Sequence, residues 1–229
     1  MRTLVIGDIH GGLKALKQLI DRIKVVEEDR LIFLGDYVDG WSQSAEVIQY
    51  LMVLSQLKDC VFLKGNHDVW CEKWLRTEKP DKVWLDHGGR GAIESYKDFS
   101  QEEKKAHLKF FEQMQPYHLD EQNRLFVHAG FTSVHGVEAE ENESNFYFDR
   151  SLWEMALDLD KKIDRNSERF PKRLKHYSEI YIGHTPTLNF NSDKPMQALN
   201  VWNLDTGAAF YGKLSAMDIH SKEIFRALF

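Results

Sequence analysis

The chain has 229 residues and a mass of 26.8 kDa, enough for one large domain with a full core and too little for two comfortable ones. Hydrophobic residues make up 42% and charged residues 29%, and 30 Lys and Arg against 36 Asp and Glu leave a net charge of −6. That sign argues against a nucleic-acid duplex or an anionic membrane as a general partner, although a local basic pocket for phosphate stays open. Two cysteines, Cys60 and Cys71, are too few for a disulfide framework, and neither sits in a CxxC pair. No apolar run reaches spanning length and the first residues read as a strand, so the expectation is a cytoplasmic protein without a signal peptide.

In chain order, Leu4-Val5-Ile6 reads as a buried strand that ends in Gly7-Asp8-Ile9-His10-Gly11. Leu13, Leu16, Leu19, Ile20 and Ile23 then recur at helical spacing, which predicts an amphipathic helix over 12–24. A strand over 30–34 ends in Gly35-Asp36-Tyr37-Val38-Asp39, and Ser42 or Ser44 can cap a helix with Val47, Ile48, Leu51 and Leu54 on its apolar face. A strand over 60–64 brings in Gly65-Asn66-His67-Asp68. This is β-α-β-α-β, the rhythm of a mainly parallel sheet.

A Trp-rich helical insertion is expected over about 69–120, within a single domain covering 1–229. Ser100 and Glu103 make a capping box ahead of Ala106, Phe110 and Met114, and the tryptophans (Trp70, Trp74, Trp84) read as packing rather than a base-stacking platform. A strand over 124–128 carries His128-Ala129-Gly130. Glu138 to Asn145 reads as a flexible acidic tip, Phe148 to Asp158 as a helix, and 161–176 as a polar helix or connection. A strand over 179–183 leads into His184, and 189–195 reads as a loop. Strands over 199–204, 213–219 and 223–228 close the chain, the last two as a hairpin around Ser221-Lys222. The change from alternating to consecutive strands suggests a second sheet packed on the first.

Five strand ends therefore deliver Asp, His, Asp, Asn, His and His, nearly all beside a glycine. One such residue alone is usually a turn former. Five in series are the signature of a metal site. Asp, Asn and His give oxygen and nitrogen donors suited to manganese, iron or zinc, and the glycines let backbone approach an ion or a phosphate closely. The ends of parallel strands are also where such folds place ligands.

The motifs GDIHG, GDYVDG, GNHD, HAG and GHT, in that order, resemble the calcineurin-like metallophosphoesterases over nearly the whole chain. Within that superfamily the sequence looks like the serine/threonine protein phosphatase branch of bacterial and phage lambda type. Leu204-Asp205-Thr206-Gly207-Ala208, with Tyr211-Gly212-Lys213-Leu214-Ser215, is similar to the closing strands of that branch. Trp84-Leu85-Asp86-His87-Gly88-Gly89 resembles a stretch of the phage-type enzymes.

The resemblance implies an α/β fold, a four-layer αββα sandwich of two mixed sheets, with two divalent metal ions between them, Mn2+ foremost and Fe or Zn as alternatives. It implies one ion on Asp8, His10 and Asp36, and a second sharing Asp36 and adding Asn66, His128 and His184. It makes His67 the proton donor to the leaving oxygen, held by Asp39. Two ions about 3.5–4 Å apart clamp a phosphate and turn a bridging water into a nucleophile. General acids of the His67 kind contribute about 10²–10⁴-fold.

Two positions depart from the protein phosphatase pattern. Gly40, followed by Trp41, stands where the branch usually has Arg, and Lys64 stands where it has another. Lys64 is then a phosphate ligand as a point charge rather than a fork. Arg150 either supplies the missing guanidinium or is a surface or structural Arg. The expected activity is hydrolysis of phosphoserine or phosphothreonine, with a phosphoprotein or small phosphoester as partner. The alternatives are a symmetrical dinucleoside tetraphosphatase and, at low weight, a non-catalytic phosphate-binding module.

Overall fold

Strands β1 (Thr3–Ile6), β2 (Arg30–Phe33) and β3 (Asp59–Phe62) run parallel, with Val5 opposite Ile32 and Ile32 opposite Val61. This register aligns the three strand ends, so Asp8, Asp36 and Asn66 leave the sheet in one row. The computed structural model describes residues 1–159 and 162–228. Asp160, Lys161 and Phe229 lie outside it, and with them the start of the polar stretch expected over 161–176.

Helices α1 (Leu13–Ile23) and α2 (Ser44–Leu57) are the crossovers. Neither Ser42 nor Ser44 caps α2; Gln43 occupies that position without a side-chain bond, and buried Ser44 accepts from the Asp39 backbone N–H instead. The insertion holds α3 (Asn66–Thr77), α4 (Lys82–Trp84), a kinked turn at Leu85–Gly89, α5 (Arg90–Ser95) and α6 (Gln101–Glu112). The Ser100–Glu103 capping box forms as expected at the start of α6. The stretch is not helical to its end, because β4 (Tyr117–Leu119) pairs antiparallel with β5 (Leu125–Val127).

Beyond β5 the Glu138–Asn145 region is organised rather than loose. Glu140 accepts the backbone N–H groups of Thr132, Ser133 and Asn142, which holds its carboxyl far below the usual range, at about 2. The helix expected over 148–158 starts later, as α8 (Ser151–Asp158), and Phe148 instead ends α7 (Asn145–Phe148). Asp149 separates the two by accepting the N–H groups of Ser151 and Leu152, which opens α8 at Arg150. After α9 (Lys172–Lys175) come β6 (Ile180–Ile182), β7 (Met196–Ala198) and β8 (Val201–Asn203). β9 (Leu214–Asp218) and β10 (Ile224–Ala227) form the expected hairpin.

The first sheet runs β10-β9-β1-β2-β3 and the second β4-β5-β6-β8-β7. The closing strands therefore do not form the second sheet together. β8 joins it, while the hairpin returns to the first sheet antiparallel to β1. Side chains alternate between layers along each strand. Leu4 and Ile6 face α1 and α2, while Val5 joins Ile32, Leu34, Phe126, Tyr181 and Met217 between the sheets. Leu125 and Val127 face α8 and α9 on the far side, with Ile180 and Ile182. Both faces of the central strands are buried, which explains their unbroken apolar runs. The architecture is the four-layer αββα sandwich.

Candidate active site

The strand-end turns are knitted to one another before any side chain is considered. The N–H groups of Ile9 and His10 both donate to the Asp36 carbonyl, at 3.0 and 2.9 Å, and Gly11 N–H donates to the Tyr37 carbonyl at 2.8 Å. Buried Asp68 accepts from the backbone N–H of Asp36 (2.7 Å), Tyr37 (2.9 Å) and Gly65 (2.8 Å), tying the second turn to the third. His10, Asp36, Asp39 and His184 all adopt positive φ, between 50° and 70°. Non-glycine residues rarely do so, and the strain is sustained only where surrounding structure dictates it. Two glycines are obligatory for close approach: a Cβ on Gly65 or on Gly183 would lie 2.1 Å from a carboxylate oxygen of Asp36 or Asp8.

Ligand-type atoms of Asp36, His128 and His184 lie within 4.8 Å of one another, as do those of His10, Asp36 and His67, so Asp36 stands between two groups. His10 Nε2 is 3.6 Å from Asp36 Oδ2 and 3.9 Å from Asp8 Oδ2. His128 Nε2 is 3.4 Å from Asp36 Oδ2 and 3.2 Å from Asn66 Oδ1. The far nitrogens of both rings donate to backbone carbonyls, His10 Nδ1 to Val38 and His128 Nδ1 to Leu34, turning each Nε2 toward the centre; on His128 burial opposes charge, but Asp36 outweighs it and raises the ring above its ordinary value. The structure thus brings together all six residues of the expected ligand set.

Charge and hydrogen bonding fit cations there. Asp8 Oδ1 and His184 Nε2 are buried with no hydrogen-bond partner. Burial, then the neighbouring carboxylates of Asp205 and Asp36, push the Asp8 carboxyl up, so the pocket is short of positive charge. Burial also lowers His10 to about 4 and His184 well below its ordinary value, the neutral state a ligand needs. Asp36 stays ionised: burial opposes it, but the His128 and His67 imidazoles prevail.

His67 opens α3, and its Nδ1 donates to Asp39 Oδ2 at 2.6 Å. Burial opposes charge on the ring, but Asp36 and Asp39 outweigh it and hold the imidazolium above its ordinary pKa. The Nδ1 bond leaves Nε2 as the nitrogen free to give a proton. A cavity of about 410 Å3 opens over this centre, lined by His10, Asp36, Asn66, His67, Arg150 and Phe210 among others.

Arg150 reaches it from the start of α8, its Nη1 donating to Thr185 Oγ1 at 3.1 Å. Lys64 does not line it. Its ammonium lies 2.6 Å from Glu72 Oε2, both side chains 13% exposed, so the expected phosphate contact gives way to an ion pair along α3. Among the described residues, Arg150 is the only Arg or Lys lining the cavity. Asp68 and Asp205 entered the sequence reading only as members of their motifs, without a site role, and Phe210 escaped it. Asp205 did carry the available signal, an Asp one residue before a Thr-Gly turn at a strand end.

The model for the calcineurin-like phosphoesterase family matches residues 1–211. The chain is a calcineurin-like phosphoesterase. It is similar to the asymmetrical bis(5'-nucleosyl)-tetraphosphatase PrpE of Oceanobacillus iheyensis, at 27% identity over 241 residues that cover 97% of this chain and 90% of that protein. The protein of the same name from Anoxybacillus flavithermus is 27% identical over 93% of this chain and 88% of its own length. Among solved structures, one provisionally named diadenosine tetraphosphatase superposes with a TM-score of 0.67 at 17% identity, covering 99% of this chain and 93% of that one. A Saccharomyces cerevisiae serine/threonine phosphatase with similarity to human PP5 gives 0.65 at 16%, covering 100% and 81%. At those identities the structures share the fold. As a calcineurin-like phosphoesterase the chain is a phosphoester hydrolase of a family that uses divalent metal ions. No helix among its described residues is long and apolar enough to cross a membrane.

Proposed function

We propose that this phosphoesterase cleaves dinucleoside tetraphosphates, and that it does so asymmetrically, at an outer phosphorus. The observation that carries this reading is the cation count of the cavity. With Gly40 in place of an Arg and Lys64 held by Glu72, Arg150 is the one guanidinium among the described residues lining the cavity, beside the His67 imidazolium. A terminal phosphate monoester brings two negative charges to the site, whereas each phosphoryl unit inside a polyphosphate brings one, so a single Arg suits the latter. Phe210, 57% exposed and lining the same cavity, offers a face for a base. The names borne by the relatives point the same way.

In this reading Asp8, His10 and Asp36 hold one divalent ion, and Asp36, Asn66, His128 and His184 the other, with Mn2+ the first metal to try. Such ions supply charge neutralisation at the phosphoryl oxygens and a water acidic enough to attack at neutral pH. Arg150 grips a phosphoryl oxygen and orients the chain of phosphates. His67 Nε2 faces the departing oxygen, and Asp39 keeps the ring turned by accepting from Nδ1.

Mass spectrometry of the products from diadenosine tetraphosphate tests the proposal. AMP with ATP supports it, two ADP molecules would make the cleavage symmetrical, and no turnover would overturn it. A second reading, the phosphoserine or phosphothreonine phosphatase, is favoured by the His67–Asp39 pair. A polyphosphate departs with little help, whereas an alkoxide needs a proton, which His67 can give from Nε2 while the 2.6 Å bond from Nδ1 to Asp39 orients the ring. A phosphothreonine peptide run beside the dinucleotide separates the two.

A further inference from the structure

Asp39 Oδ2 receives two donors: His67 Nδ1 at 2.6 Å and the indole Nε1–H of Trp84 at 2.7 Å. Both Asp39 and Trp84 are completely buried, and Asp39 Oδ1 has no hydrogen-bond partner. The carboxylate is therefore fixed from one oxygen, by one bond to the ring it orients and one to the insertion. We propose that Trp84 is a positioning residue for proton transfer, its N–H anchoring Asp39 so that His67 is held in line with the leaving oxygen. This rests on reading His67 as the acid, and it gives the Trp84–Gly89 stretch a task beyond packing.

The surrounding residues are shaped to bring that N–H to that oxygen. A Cβ on Gly89 would lie 2.4 Å from the Trp84 ring, so only glycine lets the kinked turn close over the indole. Gly88, at φ +107°, turns the backbone against Asp39, where a Cβ would sit 3.2 Å from the Asp39 Cβ and from the Gly40 nitrogen. Trp74 flanks the indole at 5.7 Å between ring centroids. Ser44 Oγ accepts the Asp39 backbone N–H at 2.9 Å, so backbone and carboxylate are held from two different elements. Ring packing alone would leave the indole N–H without a partner, a costly state in a dry interior. Here the partner is the carboxylate behind the acid.

Trp84→Phe keeps most of the ring and deletes the donor. The test compares kcat and KM of wild type, Trp84→Phe and His67→Ala, all loaded with Mn2+, on p-nitrophenyl phosphate and on phenyl phosphate, whose leaving group departs far less readily. The expected result for Trp84→Phe is a loss of about tenfold in kcat on phenyl phosphate, as for one bond to a charged group. KM on both substrates and kcat on p-nitrophenyl phosphate should stay within about twofold. Equal losses on both substrates would make Trp84 a packing residue only. If His67→Ala itself shows no leaving-group selectivity, the acid reading fails. If His67→Ala is selective and Trp84→Phe is not, only the role of Trp84 fails. A second measurement does not need a folded Trp84 variant. Of the six indole N–H resonances of 15N-labelled protein, the one with a through-space contact to Gly89 should move markedly in Asp39→Asn, and an unmoved resonance overturns the contact.

Discussion

Replacing His67 by alanine removes the group whose Nδ1 is bonded at 2.6 Å to Asp39 Oδ2 while leaving Asp36 and the five other expected Asp, Asn and His donors untouched. A general acid contributes about 10²–10⁴-fold, or roughly 2.7–5.4 kcal/mol at 1.36 kcal/mol per tenfold. That loss should appear in full only where the departing oxygen is strongly basic, as with a phosphothreonine peptide or phenyl phosphate. For p-nitrophenyl phosphate or diadenosine tetraphosphate, whose leaving groups are stable anions, the loss should shrink to about tenfold or less. Asp39→Asn keeps the ring but exchanges a charge-assisted bond for a neutral one. Such a bond is worth about 1.5–3 kcal/mol, so its penalty on the poor leaving group should fall between about tenfold and a hundredfold. Steady-state kinetics on the four substrates, with bound metal measured by elemental analysis on each variant, checks the reasoning. Uniform losses across the substrates at unchanged metal content would refute it.

The pH profile carries its own sign. If His67 is the acid, as proposed, its imidazolium is the competent form; its pKa is raised, so kcat on phenyl phosphate should fall as pH climbs above that raised value, and His67→Ala should abolish this limb. Phe210→Ala should raise KM for diadenosine tetraphosphate at least fivefold, from a stacking contribution of about 1–3 kcal/mol per base, with KM for p-nitrophenyl phosphate unchanged. Gly183→Ala would set a Cβ 2.1 Å from Asp8 Oδ1, and if Asp8 holds an ion as proposed, calorimetric titration with Mn2+ should show weakened binding. Glu140, depressed from 4.5 to about 2 in the folded chain, contributes stability above its unfolded pKa that is lost as pH falls through about 2. Glu140→Gln should therefore unfold at lower temperature at pH 7 and match wild type near pH 2 in scanning calorimetry.

The clustering of the expected donors was legible because each lies within a few residues of a strand that announces itself by an apolar run, and parallel register then aligns the ends. What local pattern does not carry is the partner of a long side chain. Lys64 sits at the right place in the chain, yet Glu72, eight residues on and two turns along α3, captures its ammonium. Arg150 enters the cavity because Asp149 interrupts a run that otherwise reads as one helix. β4 and β7, three residues each, are too short for alternation to show, and their existence depends on pairing with β5 and β8. Which sheet the closing hairpin joins is likewise decided by its fit beside β1 rather than by its own sequence. Trp84 reads as packing from composition, and only its distance to Asp39 reveals the donor.

The left-handed backbone at His10, Asp36, Asp39 and His184 has a consequence for anyone breeding this protein for robustness. Each such residue carries a backbone penalty of order 1–2 kcal/mol that glycine would not bear. A heat-resistance screen blind to turnover would therefore favour glycine at His184, whose ring Nε2 is buried without a hydrogen-bond partner, and would discard an expected donor. Selection for catalysis has to be applied at every round, because in this molecule durability and chemistry pull on the same torsion angles.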